Sequence, residues 1–180
     1  MLILSVLLAV IVGWLMGGRL SGDGGTEIRF LWLPAASAVL QRLYLRPWTL
    51  ILSYLLLFVF LWFNRQARVS AALLGAGSLC NLIVIMANGF RMPVAAAALS
   101  LLPADRAQAL LSGKIPMYCA VGEDTRLPFL GDILAVNLPV VGGFASIGDV
   151  LLALGIFGFV MAVMAPPRLS GLWTRGRHQA

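Results

Sequence analysis

Apolar positions along this chain fall into long uninterrupted blocks, separated by short stretches that hold arginine, glycine and proline. Residues 1–18, 47–63, 69–90 and 150–167 carry no charged side chain. An α-helix rises about 1.5 Å per residue, so 18 residues reach about 27 Å, close to the hydrocarbon thickness of a bilayer. Each block is therefore predicted to be a membrane-spanning helix. The first lacks a basic leader and a small-x-small cleavage site, and reads as a retained span. The block at 30–41 is shorter, but the stretch between Arg29 and Arg46 reaches about 27 Å if Arg42 snorkels to the interface.

Arginine placement arbitrates the number of spans. With five, the short connections on one side hold Arg19, Arg29, Arg65, Arg68, Arg168, Arg175 and Arg177, against Arg42, Arg46 and Arg91 near the helix ends on the other. With four, the two sides are even. The positive-inside rule favours five helices, with the amino terminus outside and the carboxyl terminus in the cytoplasm of a bacterial inner membrane. Four spans plus an interfacial helix over residues 29–46 is the alternative. The expected fold class is all-α, a polytopic helix bundle forming one integral membrane domain over residues 1–180.

Composition agrees. The chain is 61% hydrophobic and only 11% charged, where soluble domains carry about 25% charged residues. The net charge of +6 comes from 13 basic residues, all but Lys114 arginine, set between apolar runs. That pattern suits retention of loops and contact with anionic lipid heads; no basic stripe with interleaved aromatics points to nucleic acid. Cys80 lies in an apolar block and Cys119 in a connection, so a disulfide between them is not expected.

Small residues four apart (Gly13 and Gly17, Ala71 and Gly75, Ala72 and Ala76, Gly158 and Ala162) would let helix backbones approach closely. No inverted repeat of the transporter type is visible. The one long connection, residues 91–148, is expected to be an ordered extracytoplasmic lid. Within it, 93–102 reads as a short helix with proline in its first turn, and 104–111 as a second helix ended by Gly113. Beyond Lys114, Pro116, Pro128, Pro139 and the Gly142-Gly143 pair predict an irregular apolar segment packed on the membrane face.

Candidate chemistry is sparse. Asn88-Gly89 suits a left-handed helix end, and Met92-Pro93 forces extended backbone after it. Ser146-Ile147-Gly148-Asp149 matches a capping box, in which serine and acid satisfy amide groups reciprocally, giving Asp149 a structural role. Asp132 stands in an apolar octet and needs a cation or several donors; Arg91 and Arg126 are the available partners for a salt bridge. A functional site using Asp132 with Asp149 is the competing reading. Ser78, Asn81, Ile85 and Asn88 share one helix face, a polar stripe suited to bonding a neighbouring helix. The single histidine, His178, lies in the terminal tail, so no His-dependent triad, histidine metal site or haem pair is expected, and no cofactor or metal. No acid lies deep in a span, which disfavours a proton-coupled pump.

These residues assemble into a pattern. Gly-Gly-Arg-Leu at 17–20, Leu-Gln at 40–41, Ala-Asn-Gly-Phe-Arg-Met-Pro-Val at 87–94, Thr-Arg-Leu-Pro-Phe-Leu-Gly-Asp at 125–132 and Ser-Ile-Gly-Asp at 146–149 occur in order over nearly the whole chain. The sequence resembles a bacterial domain-of-unknown-function family of small multi-span membrane proteins. The resemblance implies a fold and a location but no activity. Family members tend to carry a histidine shortly before the Thr-Arg-Leu-Pro stretch; this chain has Tyr118 and Cys119 there, so a role that requires the imidazole is not expected. In size and topology the chain is also distantly similar to lipoprotein signal peptidases, which pair an aspartate in G-N-L-I-D with one in N-x-x-D. Cys80-Asn81-Leu82-Ile83 echoes the first motif, but Val84 stands where its aspartate would be, and Ser146-Ile147-Gly148-Asp149 occupies the place of the second.

The expected function is that of a non-enzymatic accessory subunit or lipid- or amphiphile-binding protein. Asn81, Asn88, Arg91, Met92, Arg126, Asp132, Ser146 and Asp149 would form the lid-to-bundle junction, and the partners would be the bilayer and a membrane protein or lipid-like ligand. The alternatives are a membrane aspartyl hydrolase with Asp132 and Asp149 as catalytic candidates, and a small transporter.

Overall fold

The computed structural model describes residues 2–19, 27–43, 47–100, 102–136 and 143–166. In chain order the elements are α1 (Leu2–Leu15), α2 (Trp32–Leu43), α3 (Pro47–Phe63), α4 (Arg68–Ala87), β1 (Met92–Val94), α5 (Ala96–Leu99), α6 (Ala104–Leu111), β2 (Tyr118–Ala120), a 3₁₀ turn (Pro128–Leu130), β3 (Leu134–Val136), β4 (Gly143–Ala145) and α7 (Ile147–Met164). The chain is mostly helical, and α4 and α7 are long and apolar enough to cross a membrane. The uncharged blocks at 1–18 and 47–63 fold as the shorter apolar helices α1 and α3. With 12 residues, α2 is about 18 Å long, less than the hydrocarbon core.

The most extensive packing is antiparallel, between α4 and α7, and it depends on missing side chains. A Cβ at Gly77 would lie 2.6 Å from the Gly148 carbonyl oxygen, and one at Gly155 2.9 Å from the Leu74 nitrogen. Gly158 likewise faces the Ser70 hydroxyl. On the other side of α7, Gly13 of α1 abuts the Met164 sulfur, and the Ser5 hydroxyl donates to the Ala153 carbonyl. Such close seams are how apolar helices gain dispersion contacts where no hydrophobic force separates them from their surroundings. Of the predicted small-residue pairs, Gly13 and Gly158 lie in these seams. Gly75 does not: its nearest neighbour is Leu61 of α3, at an ordinary 3.8 Å.

A first core gathers Leu33, Phe60, Leu61, Leu74, Phe159 and Ala162 from α2, α3, α4 and α7. At the same end, Asn64 ties α3 to the chain entering α2. Its amide donates to the carbonyls of Arg29 and Phe60 and accepts from the Arg29 N–H, at 2.8–2.9 Å. A full set of partners makes Asn64 tolerable although it is wholly buried.

At the opposite end the connection between α4 and α7 folds over the helices as a lid with its own core of Val94, Ala98 and Leu110. Here the expectation of a wholly α-helical protein is corrected. β1 pairs in parallel with β2, and β3 pairs antiparallel with β4. The helix predicted over 93–102 is reduced to Ala96–Leu99. The residue before a proline is driven to extended backbone, and Met92 and Pro93 enter a strand instead. The second lid helix matches its predicted span, with Gly113 left-handed (φ +68°) just beyond its end. Gly89, at φ +65°, likewise closes α4, where the Phe90 N–H returns to the Ile85 carbonyl. Cys80 and Cys119 are both free.

Candidate functional site

The lid-proximal ends of α4 and α7 are joined by a ring of polar contacts. Ser146 caps α7: its hydroxyl accepts from the Asp149 N–H at 2.9 Å, while Asp149 Oδ2 accepts from the Ser146 N–H at 3.1 Å. This is the capping box that the spacing predicts. The ring then crosses to α4, where Asn81 Nδ2 donates to Asp149 Oδ1 at 3.0 Å and Asn81 Oδ1 accepts from the Ser146 hydroxyl at 2.9 Å. Gly148 makes room for it, since a Cβ there would fall 2.0 Å from Asn81 Oδ1. Four hydrogen bonds close this ring between the two helices, which fixes their register.

Asp132 is placed by backbone pairing. Its N–H donates to the Pro93 carbonyl (2.8 Å) and its carbonyl accepts from the Ala95 N–H (3.0 Å), so residue 132 flanks β1 on the side opposite β2. The preceding Gly131 is required for this approach, because a Cβ there would lie 2.5 Å from the Pro93 oxygen. The β1–β2 pair and the single bridge from Val94 to Asp132 bring Met92, Tyr118 and Asp132 over the helix ends, where they line a cavity of about 140 Å³. Gln41 of α2, Leu50 and Tyr54 of α3, Asn81 and Ile85 of α4, Met117, and Asp149 of α7 complete its walls.

The salt bridge expected between Asp132 and Arg91 or Arg126 does not form. Asp132 is 4% exposed and faces inward, whereas both arginines lie at the surface. Among the described residues its carboxyl has neither a hydrogen bond nor an ion pair. Burial, and then the nearby charge of Asp149, push its pKa up to about 7. The Tyr118 hydroxyl is also raised above its usual value, by burial first and then by Asp132 and Asp149. At Cys119, burial raises the thiol and Arg91 opposes it.

Of the residues predicted for the junction, Asn81, Met92, Asp132 and Asp149 meet at the cavity, with Ser146 behind Asn81. Asn88, Arg91 and Arg126 do not. Asn88 instead fastens the lid to α4: its amide donates to the Val84 and Arg126 carbonyls at 2.8 Å and accepts from the Arg126 N–H at 2.9 Å. It borders a second, more open depression formed with residues 119–125. Sequence reading missed Gln41, Tyr54 and Tyr118 as wall residues. Tyr54 gave the one available signal, a phenol inside an uncharged block, because a buried tyrosine hydroxyl usually has somewhere polar to point.

No curated protein and no solved structure matches this chain. A family model does match it over residues 27–161, which takes in α2 through most of α7, the lid and every wall of the cavity. The chain belongs to that family, described as a family of unknown function (DUF5317).

Proposed function

We propose that this is a non-enzymatic integral membrane protein that binds the head of an amphiphile in the cavity beneath the lid. The observation that carries the reading is the cavity's two-sided wall: Asp132, Asp149, Asn81, Gln41 and the two tyrosines supply polar groups, and Leu50, Ile85, Met92 and Met117 supply an apolar margin. Ligand sites combine an apolar lining with a few convergent polar groups.

The same helices support a membrane arrangement. α1, α2, α3, α4 and α7 alternate in direction, which supports five crossings with α2 the shortest, or four with α2 at the interface. Trp14, Trp32 and Trp62 are 63–71% exposed at the end away from the lid, and Trp48 is 60% exposed at the lid end, the placement of two interfacial aromatic belts. The Arg65 guanidinium lies 4.7 Å over the Trp62 ring. Arg19, Arg29, Arg65 and Arg68 all occupy the end away from the lid, which supports a cytoplasmic assignment for that end and an extracytoplasmic lid in a bacterial inner membrane.

Mass spectrometry of the protein extracted in lipid nanodiscs tests the reading, with Ile85→Trp as the cavity-filled comparison. A retained amphiphile that Ile85→Trp loses while keeping its fold is expected. An equal lipid complement in both would overturn the proposal, and a stoichiometric protein partner would favour an accessory subunit instead.

A membrane aspartyl hydrolase is the second reading, favoured by one observation: two carboxyls with unlike surroundings share the cavity. Asp149 accepts two hydrogen bonds, whereas Asp132 has none and holds its proton up to about pH 7. Such pairs suit a base and an acid. Its test is cleavage of membrane-tethered substrates by folded protein, abolished in both Asp132→Asn and Asp149→Asn.

A further inference from the structure

Cavity walls identify head groups by what they leave unmatched. Here the unmatched groups are acceptors or groups able to accept. Asp132 is 96% buried without a hydrogen bond to its carboxyl, and Tyr54, 93% buried, lines the same space with no partner for its hydroxyl among the described residues. The Tyr118 hydroxyl is in the same position, and each oxygen of Asp149 accepts one bond and has capacity for another. Among the described residues no lysine, arginine or histidine lines the space. Of these an anionic head would meet two acids and no cation.

Resting on the amphiphile-binding reading, we propose that the head group is a protonated amine, its N–H groups donating to Asp132, Asp149 and a tyrosine hydroxyl. An ammonium carries three donors and no acceptor, the complement of this wall. Burial without a matched charge is costly for a carboxylate, and an entering cation removes that cost. At about 140 Å³ the cavity is below the roughly 300 Å³ at which sites begin to enclose whole drug-sized molecules. It admits the head and leaves the chain to the apolar margin of Leu50, Ile85 and Met92. A divalent ion fits less well, because among the described residues no third histidine, cysteine, aspartate or glutamate joins the two acids.

The test titrates the full chain in phosphatidylcholine nanodiscs at pH 7.5 with decylamine, decanol and decyltrimethylammonium, reading bound species by native mass spectrometry and subtracting partitioning seen with Ile85→Trp. Decylamine is expected to bind about tenfold tighter than decanol, the worth of charge-assisted hydrogen bonds at one site, and tighter than the quaternary amine, which has no N–H. Folded Asp132→Asn should lose that preference. Equal binding of all three probes to the unmodified protein would overturn the amine assignment while leaving amphiphile binding intact. No probe binding above the Ile85→Trp level would instead remove the reading on which it rests.

Discussion

Asp132→Asn is expected to change how stability depends on pH more than stability at any one pH. In the folded chain the carboxyl is pushed from 3.8 to about 7, by burial first and the Asp149 charge second. The folded state therefore holds this proton more tightly than the unfolded state does. Stability is complete below about pH 4, falls as pH rises, and levels off above the folded value. Each pH unit between the two values is worth about 1.4 kcal/mol, so the ionised folded state carries a penalty of up to about 4 kcal/mol by pH 8. Asparagine cannot ionise, and any cost of its unmatched amide is the same at every pH. Thermal unfolding of both proteins in nanodiscs, followed by tryptophan fluorescence from pH 4.5 to 8.5, should show the variant gaining on the parent steadily up to about pH 7. A difference that stays flat across that range would refute the reasoning, whatever its sign, because it would mean that Asp132 titrates normally in the folded protein.

Other consequences follow from the seams and caps. Gly148→Ala should destabilise by about 2 kcal/mol or more, since its methyl displaces Asn81 from both Asp149 and Ser146. Gly75→Ala, with nothing closer than 3.8 Å, should be neutral or slightly stabilising through helix propensity, and thermal unfolding distinguishes the two. Ser146→Ala loses the cap of α7 and one bond to Asn81, an expected cost of about 1–2 kcal/mol in the same assay. Asn88→Ala should leave the helices intact but release the lid at Arg126, seen as faster amide exchange over residues 122–130 with unchanged protection in α4.

Much of the helical framework was legible because it is written in local composition. An uncharged block long enough to form a helix has few alternatives in an apolar solvent, where each backbone amide must be satisfied within its own segment. That logic located α1, α3, α4 and α7, and local stereochemistry located the Ser146 cap, the Gly89 helix end and the second lid helix. It failed where the deciding contact came from far along the chain. Residues 93–102 read as helix, yet Met92–Val94 became a strand because β2, some 25 residues later, offers it a ladder. Gly77 was not distinguished from Gly75, since only the neighbouring helix decides which face of α4 is the seam. The partner of Asp132 was misjudged for the same reason: Arg126 stands close in sequence and Arg91 just before β1, but backbone pairing to Pro93 and Ala95 turns the carboxyl inward, away from both. The sequence by itself determined how much of the chain is helix and where its caps lie, because those depend on neighbours within a few residues. Only the tertiary structure decided that Tyr54, Asn81, Tyr118, Asp132 and Asp149, from five separate segments, face one cavity, because that depends on helix registers and strand pairings set by contacts 26 to 68 residues apart.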